Sequence, residues 1–401
     1  MHPVTETQLE TGTRLSGIRT GVFYIATMLF WFSMYTYVPV LTPYVEHLGG
    51  SLFAAGLVVG SYGLTQMLVR VPIGIGSDRL GRRKGFVLGG MACATLSSLG
   101  FAVTHNVWLS LLFRGLAGVA AGTWVPMTVW FASYFAPREA PRAMGLLSFY
   151  TSLGQMVASP VGGYLAEIWG WHAPFWVGAA GGLLSLSVAA GMLKEPERAV
   201  GHTASVKSLL RMGSEWPLLS VSLLAILGYF MQFSTMFGFT PLRATHLGAT
   251  QGDLGILMFL TTLPNAVAGY LAGSRMADRI GERATVVWGF AIAALCTAVI
   301  PWVPNLSWLY LTQALNGFGL GMQAPILMGL AIRSVPGSRR GTAMGFFQAM
   351  YSIGMFGGPF LVGWIGQLAG LSGGFVVVGG VGVLATLLAW VWIRERPKGQ
   401  L

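Results

Sequence analysis

Two basic features stand out as able to do chemistry in this 401-residue chain. The first is Arg114, which opens Arg114-x-x-x-Gly118-x-x-x-Gly122 inside a long apolar stretch. It lies about seven residues into that stretch, or about 10 Å at 1.5 Å per residue. An arginine at membrane depth costs roughly 2.5–3.5 kcal/mol on insertion scales, so it should face a wet cavity or a partner. The second is Arg70-x-x-x-Gly74-x-x-x-Asp78-Arg79-x-Gly81-Arg82-Arg83, which puts an acid and several cations at the end of another apolar stretch. Helix N-termini carry roughly half a positive charge. Asp78 could therefore dock on one, with the arginines pairing across the same gap. The competing explanation is that these charges only orient the chain.

The absent groups restrict the chemistry further. The thirteen acids, among them Glu46, Asp78, Glu167, Asp253, Asp278 and Glu282, all map to termini, loops or helix ends. No carboxylate is available inside an apolar stretch to neutralise a strongly cationic ligand, whereas Arg114 supplies a positive site. A neutral or anionic ligand is expected. The sequence offers no nucleophile–base pair and no zinc-binding histidine pair, so catalysis is not expected. It has no glycine loop ending in Lys-Ser/Thr, so ATP should not drive it, and no metal or cofactor is expected. Cys93 and Cys296 fall in apolar segments and read as small buried hydrophobes.

The elements that must position these residues are membrane helices. The composition is 54% hydrophobic and 9% charged, whereas soluble domains carry about 25% charged residues. Apolar segments of spanning length, roughly 20 residues, fall at about 20–42, 52–76, 85–104, 107–133, 143–166, 173–193, 217–240, 251–275, 284–303, 307–332, 342–366 and 373–393. The cations alternate with them. Arg79, Arg82, Arg83, Lys84, Arg138, Arg142, Lys194, Arg198, Lys207, Arg279, Arg283, Arg339, Arg340, Arg394, Arg396 and Lys398 all fall on one side, and Arg243 is the exception. The positive-inside rule puts that side and both termini in the cytoplasm, as expected of a multi-pass protein of the plasma or inner membrane. The net charge of +11 is then a topology signal, and nucleic-acid binding is not expected.

The chain is also written twice. A shift of 200 lays Asp78-Arg79-x-Gly81 on Asp278-Arg279-x-Gly281, Ala143-Met144-Gly145 on Ala343-Met344-Gly345, and Gly154 on Gly354. The reading is an N-terminal bundle over 1–193, a cytoplasmic linker over 194–216 with a short surface helix near 205–212, and a C-terminal bundle over 217–401. Duplicated bundles of this kind commonly hold a ligand site between them.

The loop after helix 2 and its second copy resemble the signature loop of the major facilitator superfamily. The resemblance extends over twelve spans, two halves and a long central loop. It implies an all-α membrane protein of twelve transmembrane helices in two pseudo-symmetric six-helix bundles, working by alternating access. It also implies that Arg70, Gly74, Asp78, Arg79, Gly81, Arg82, Arg83, Asp278 and Arg279 gate the cytoplasmic side, Asp78 facing helix 11 and Asp278 facing helix 5, and so stabilise the outward-facing state. The second copy departs from the pattern at Ser274 and Glu282. The Arg114 motif, and Gly145-x8-Gly154 with Ser159-Pro160 on helix 5, resemble those of the twelve-span drug:proton antiporters; helix 11 carries Gly345-x8-Gly354 with Gly358-Pro359. Gly154, Pro160, Gly354 and Pro359 are expected at hinges, although close packing explains the same glycines. Proton coupling and a monomeric state are implied by the resemblance alone, and no embedded acid supplies a coupling site.

Helices 1, 4, 7 and 10 line the pathway in that superfamily. On helix 1, Tyr24, Met28, Trp31 and Tyr35 share one face. The expected substrate-binding set is Tyr24, Trp31, Tyr35, Arg114, Trp124, Gln155, Gln232, Phe233, Asn265, Asn316, Gln348 and Tyr351. The leading expectation is a secondary transporter that exports small amphiphilic or neutral molecules. The alternatives are a carrier of small organic anions or polar metabolites with Arg114 as the anion contact, and a non-transporting membrane sensor.

Overall fold

The computed structural model describes the backbone of residues 6–135, 139–193, 211–333, 335–336 and 339–393, with side chains from residue 19 onward except at 140–142. Most of the linker, with the surface helix expected near 205–212, lies outside the described residues, as do Arg138, Lys194, Arg198, Lys207, Arg394, Arg396 and Lys398. The described residues form helices and no strand.

The helices are α1 (Arg19–His47), α2 (Leu52–Leu80), α3 (Arg83–Val103) and α4 (Val107–Ala132), α5 (Ala140–Trp169), α6 (Ala173–Met192), α7 (Trp216–His246), α8 (Gln251–Ile280), α9 (Glu282–Trp302) and α10 (Leu306–Arg333). The continuous segment Arg340–Trp392 is two helices, α11 before and α12 after a break at Gly370. Its φ of 75° is left-handed backbone that glycine adopts without a Cβ penalty. The fold is thus all-helical; among the described residues ten helical stretches are long and apolar enough to cross a membrane, one of them, Arg340–Trp392, broken at Gly370. The α11–α12 junction has no loop, unlike the gap expected over 366–373, because one left-handed residue suffices to turn the chain.

Local chemistry sets the starts and stops. Ser51 caps α2 by accepting from the Ala54 amide. Asn106 caps α4, and Thr250 with Asp253 forms a full capping box on α8. Gly81 ends α2 at φ 60°. Several helices outrun their apolar cores. The first span was expected to end at residue 42 but reaches His47, because the turn Val38–Val40 carries the chain into a further helix, Leu41–His47. The seventh continues to His246 through a π-turn at Thr235–Phe239. Apolar length measures the bilayer, whereas hydrogen bonding and packing decide where a helix stops.

Side chains such as Leu112, Leu183, Leu387, Trp108 and Trp169 stay exposed on the outside, as lipid contact requires. Inside each half, glycines bring backbones together. A methyl group on Gly118 would strike the carbonyl of Tyr62, and one on Gly317 would strike the carbonyl of Thr261. Gly154 lies against Met28 of α1, and Gly354 against Ile226 of α7. In lipid, such close packing is a main source of helix association.

The two halves meet along two seams, α2–α11 and α5–α8. At the face opposite the signature loops, Gly56 packs on Pro359 and Gly363, and Gly255 packs on Pro160 and Gly163. Polar contacts reinforce this far face. Thr42 Oγ1 donates to the Gly238 carbonyl at 2.8 Å. Glu167 Oε2 accepts from the Gly252 amide at 2.9 Å and from Thr250 Oγ1 at 3.1 Å. Glu46 lies 3.4 Å from His246. The face bearing the signature loops, hereafter the basic face, is different. Methyl groups on Gly145, Gly273, Gly341 and Gly345, near the ends of α5, α8 and α11, would meet open space. Among the described residues, the polar contacts between the halves gather at the far face and midway along α2–α11, and these basic-face glycines are left uncovered.

Candidate functional site

The space between the halves is walled mainly by rings. Tyr24 of α1 stacks on Tyr150 of α5, with centroids 4.7 Å apart. Trp31 meets Trp124 of α4 edge-on at 5.5 Å. Tyr35 meets Phe237 of α7 across the half boundary at 5.6 Å. Phe233 of α7 stacks on Tyr62 of α2, also across the boundary, at 5.8 Å. The Trp31 Nε1 is buried without a hydrogen-bond partner. Gln155, half-buried, stands on α5 one turn before Ser159, whose hydroxyl donates to its carbonyl.

The amides divide into two kinds. Asn265 Nδ2 donates to the Gly317 carbonyl at 3.1 Å and so ties α8 to α10 inside the C-terminal half. Asn316 is fully buried, with Nδ2 3.4 Å from Thr235 Oγ1 and 3.4 Å from Gln313 Oε1. Both are packing ties of one half. Gln232 is half-buried and reaches only the Met236 sulfur, at 3.9 Å. Gln323 is buried, and neither its oxygen nor its nitrogen has a partner.

Arg114 is enclosed rather than set on an open wall. It is 2% exposed. Its guanidinium carbon lies 4.6 Å from the Tyr62 ring centroid and 5.6 Å from that of Tyr37, and Nη1 donates to the Tyr37 hydroxyl at 3.3 Å. Cation–π contact of this kind contributes about 0.5–2 kcal/mol, more as water is excluded. The tyrosines supply part of what an embedded arginine needs; its Nε is buried without a hydrogen-bond partner.

The repeat makes the same place visible in the other half. A shift of 199 lays Arg114, Gly118 and Gly122 on Gln313, Gly317 and Gly321, with Tyr62 on Thr261 and Tyr37 on Met236. Gln313, Met236 and Thr261 line a small enclosed void together. The geometry is duplicated and the charge is not.

The expected gating residues also separate. Asp78 pairs with Arg83 of its own loop at 2.7 Å. Arg79, Arg82, Asp278 and Arg279 are exposed. Gly74 has only Val125 of its own half nearby, and Gly81 forms the turn. Arg70 stands elsewhere, about 15 Å up α2 from the basic end, and is 3% exposed. Its Nη1 donates across the half boundary to Gln348 Oε1 at 2.8 Å and to the Tyr351 hydroxyl at 2.7 Å. One turn away, Ser352 Oγ donates to Gln66 Oε1 at 3.2 Å. Arg70 therefore works in the middle of a seam, not in the loop. Pro160 and Pro359 lie in the far-face seams, against Gly255 and Gly56.

A small void of about 20 Å³ lies between α7, α10 and α11, lined by Gly228, Tyr229, Gln232, Gln323, Met328 and Phe347, among others. Tyr229 stacks on Tyr351 at 4.1 Å, so the cavity wall adjoins the Arg70 partner directly. The sequence reading missed Tyr37, Tyr62 and Gln66. Tyr62, Gln66 and Arg70 recur every four residues on an otherwise apolar helix, and that polar stripe marks an inward face.

The sequence matches the family model described as Major Facilitator Superfamily over residues 23–250 and again over residues 221–401. An uncharacterized MFS-type transporter, YceJ of Bacillus subtilis, is 28% identical over 78% of this chain and 80% of its own length. Multidrug resistance protein 1 of Bacillus subtilis is 26% identical over 80% of this chain and 82% of its own. Among solved structures, a bacterial homologue of the human lysosomal transporter Spinster, inward-facing and unoccupied, superposes with a TM-score of 0.80 at 16% identity, covering 94% of this chain and 97% of that one.

Proposed function

The chain belongs to the Major Facilitator Superfamily, whose members are secondary transporters rather than enzymes, and from that premise we propose that it exports small amphiphilic or neutral molecules across the cytoplasmic membrane by alternating access. The observation that carries this reading is the unequal closure of the two faces around an aromatic, amide-bearing interior. With the basic face cytoplasmic, as the cation distribution directs, the structure corresponds to an inward-facing state, ready to load from the cytoplasm. The similarity to a multidrug resistance protein supports export. The wall of Tyr24, Trp31, Tyr35, Trp124, Phe233 and Met236 suits varied apolar surfaces, because aromatic and thioether groups adapt to many shapes.

Mechanistically, the two halves rock about the central space. The far-face seams part as the basic-face ends come together. Asp78 then exchanges Arg83 for the N-terminal end of α11, where helix-end charge favours an acid. The second reading, a carrier of small organic anions or polar metabolites with Arg114 as the anion contact, draws on its Nε, which is buried without a partner, although Tyr37 and Tyr62 stand against the rest of the guanidinium.

The test is transport in proteoliposomes against a panel of neutral amphiphiles, with and without an imposed pH gradient. Saturable transport of several members, accelerated by a gradient, is the expected result. Transport restricted to one hydrophilic metabolite would overturn the export reading.

A further inference from the structure

We infer that a groove between α2, α3 and α4, open to the lipid, retains one anionic phospholipid of the basic-face leaflet, with an acyl chain in the groove and the headgroup on Arg82. This lipid is not the transported molecule, and its site stands whether or not the chain exports amphiphiles.

The groove has a volume of about 470 Å³ and is walled by Ile73 of α2, Phe86 and Cys93 of α3 and Val119 of α4. That volume lies within the usual range for small-molecule sites. Two local features of α3 open it. Gly90 lets Thr123 of α4 press against the helix, since a methyl group there would strike the threonine side chain. Gly85 and Gly89, one turn apart on the same side, are exposed, and a methyl group on either would meet open space. The helices are thus close at the bottom and bare at the lip. The face that carries Gly89 continues to Leu96, which is exposed as lipid contact requires.

The dimensions match one lipid chain. The stretch from Arg82 to Cys93 rises about 16 Å at 1.5 Å per residue, close to half of a hydrocarbon core roughly 30 Å thick. The groove therefore runs from the membrane surface through about one leaflet.

Charge is confined to its water end. Arg82 lines the groove there and is exposed. The other groups of this loop are engaged elsewhere. Asp78 is held by Arg83 at 2.7 Å, and Lys84 Nζ donates to the carbonyls of Ala190 and Leu193 at 2.9 and 2.6 Å. Among the described residues no hydrogen bond or ion pair of Arg82 is found, and no acid lines the groove. A guanidinium matches phosphate oxygens, and basic pockets between membrane helices take acidic lipid headgroups. An apolar slot one leaflet long with a cation at its mouth complements an anionic lipid at both ends.

The second half supplies the contrast. A shift of 199 lays Gly90 and Thr123 on Gly289 and Met322, and Gly289 again packs on Met322. The same shift lays Gly89 on Trp288, a large exposed side chain. The shift of 200 that aligns the signature loops lays Arg82 on Glu282, which pairs with Arg333. A ring stands where the lip is bare, and an acid replaces the cation.

The experiment is native mass spectrometry of the purified full chain, incubated with equal amounts of phosphatidylglycerol and phosphatidylcholine of the same chain length. One phosphatidylglycerol should be retained about fivefold more tightly than phosphatidylcholine, the scale of one basic residue at an anionic surface. Arg82→Gln should remove that preference and Arg82→Lys should keep part of it. Arg79→Gln, on the same loop but outside the groove, should leave it intact. Gly89→Trp fills the groove as the second half does, in space that is open, and should lower retention of both lipids. Cys93 in the groove gives a second readout in a Cys296→Ala background. Phosphatidylglycerol should slow its reaction with a membrane-permeant maleimide, and glycerophosphoglycerol, the same headgroup without chains, should not. Equal retention of the two lipids, an undiminished preference in Arg82→Gln, an equal loss in Arg79→Gln, or unchanged retention in Gly89→Trp would overturn the site. Protection of Cys93 by the free headgroup would overturn it as well, since a soluble anion would then suffice.

Discussion

The α2–α11 and α5–α8 seams begin alike and end differently. At the far face each joins a glycine to a Gly/Pro pair: Gly56 with Pro359 and Gly363, Gly255 with Pro160 and Gly163. Toward the basic face, α2–α11 continues through Gly60 and Gly63 against Phe356, then Gln66–Ser352, then Arg70 with Gln348 and Tyr351. The corresponding amide on α8, Asn265, turns back to Gly317 of its own half. The shift of 199 lays Arg70 on Gly269, so the matching position of the second seam carries no cation. Duplication supplied two equal contacts, and divergence made one of them deep and polar. The deep seam can remain engaged while the shallow one opens, which makes the rocking motion lopsided.

Substitutions that act on one seam test this contrast directly. The largest effect is expected from Gly255→Leu, where a side chain must enter a backbone–backbone contact. Overpacking of that kind costs about 1–3 kcal/mol, and here it would wedge the far face apart. Transport should fall by roughly tenfold or more, and a cysteine placed at the far face should label faster; unchanged labelling would remove the shallow seam from the gate. Next comes Arg70→Gln, which deletes two charge-assisted bonds worth about 1.5–3 kcal/mol each at most. Spin labels at the basic ends of α2 and α11 should report a broadened separation, and the same labels on α5 and α8 should not. Equal broadening on both seams would mean that Arg70 does not distinguish them.

A smaller effect is expected at the signature loop. Asp78→Asn keeps its place on the chain but loses the charge that the end of α11 would attract, so transport should drop several-fold at normal expression. Asp278→Asn, on the degenerate copy, should do less, and the reverse order would contradict the asymmetry. Smaller again is Glu167→Gln, since an acid at a helix N-terminus contributes about 0.3–1 kcal/mol at an exposed site. It should shift the population toward the outward-open form by about twofold to fivefold, read by the same far-face cysteine. The Glu46–His246 contact is half-exposed, and exposed pairs contribute about 0–1 kcal/mol, so His246→Ala should change that labelling least.

Particular residues show how much was readable in advance. Arg114 was recognisable because charge in an apolar stretch is rare, but its two tyrosine partners come from α1 and α2, far away in sequence. Asn265 and Asn316, expected at the ligand, also tie one half together through their Nδ2 groups, while Asn316 Oδ1 stays buried without a partner; a buried amide can serve packing with one end and leave the other open. Arg70 was assigned to the loop because the motif begins there; about 15 Å of helix carries it into the seam. The Glu167 contact applies to the far face the same physics expected of Asp78, an acid at a helix N-terminus, and no motif announced it.

Spanning helices and the duplication were determined by the sequence alone, because apolar length, cation alternation and a repeat are local or one-dimensional properties. The tertiary structure alone decided which of two equivalent seams became polar, and which arginine met rings and which bridged the halves. These outcomes depend on side chains from distant segments meeting at angstrom distances, where a glycine or a tyrosine on a facing helix decides what a charge can reach.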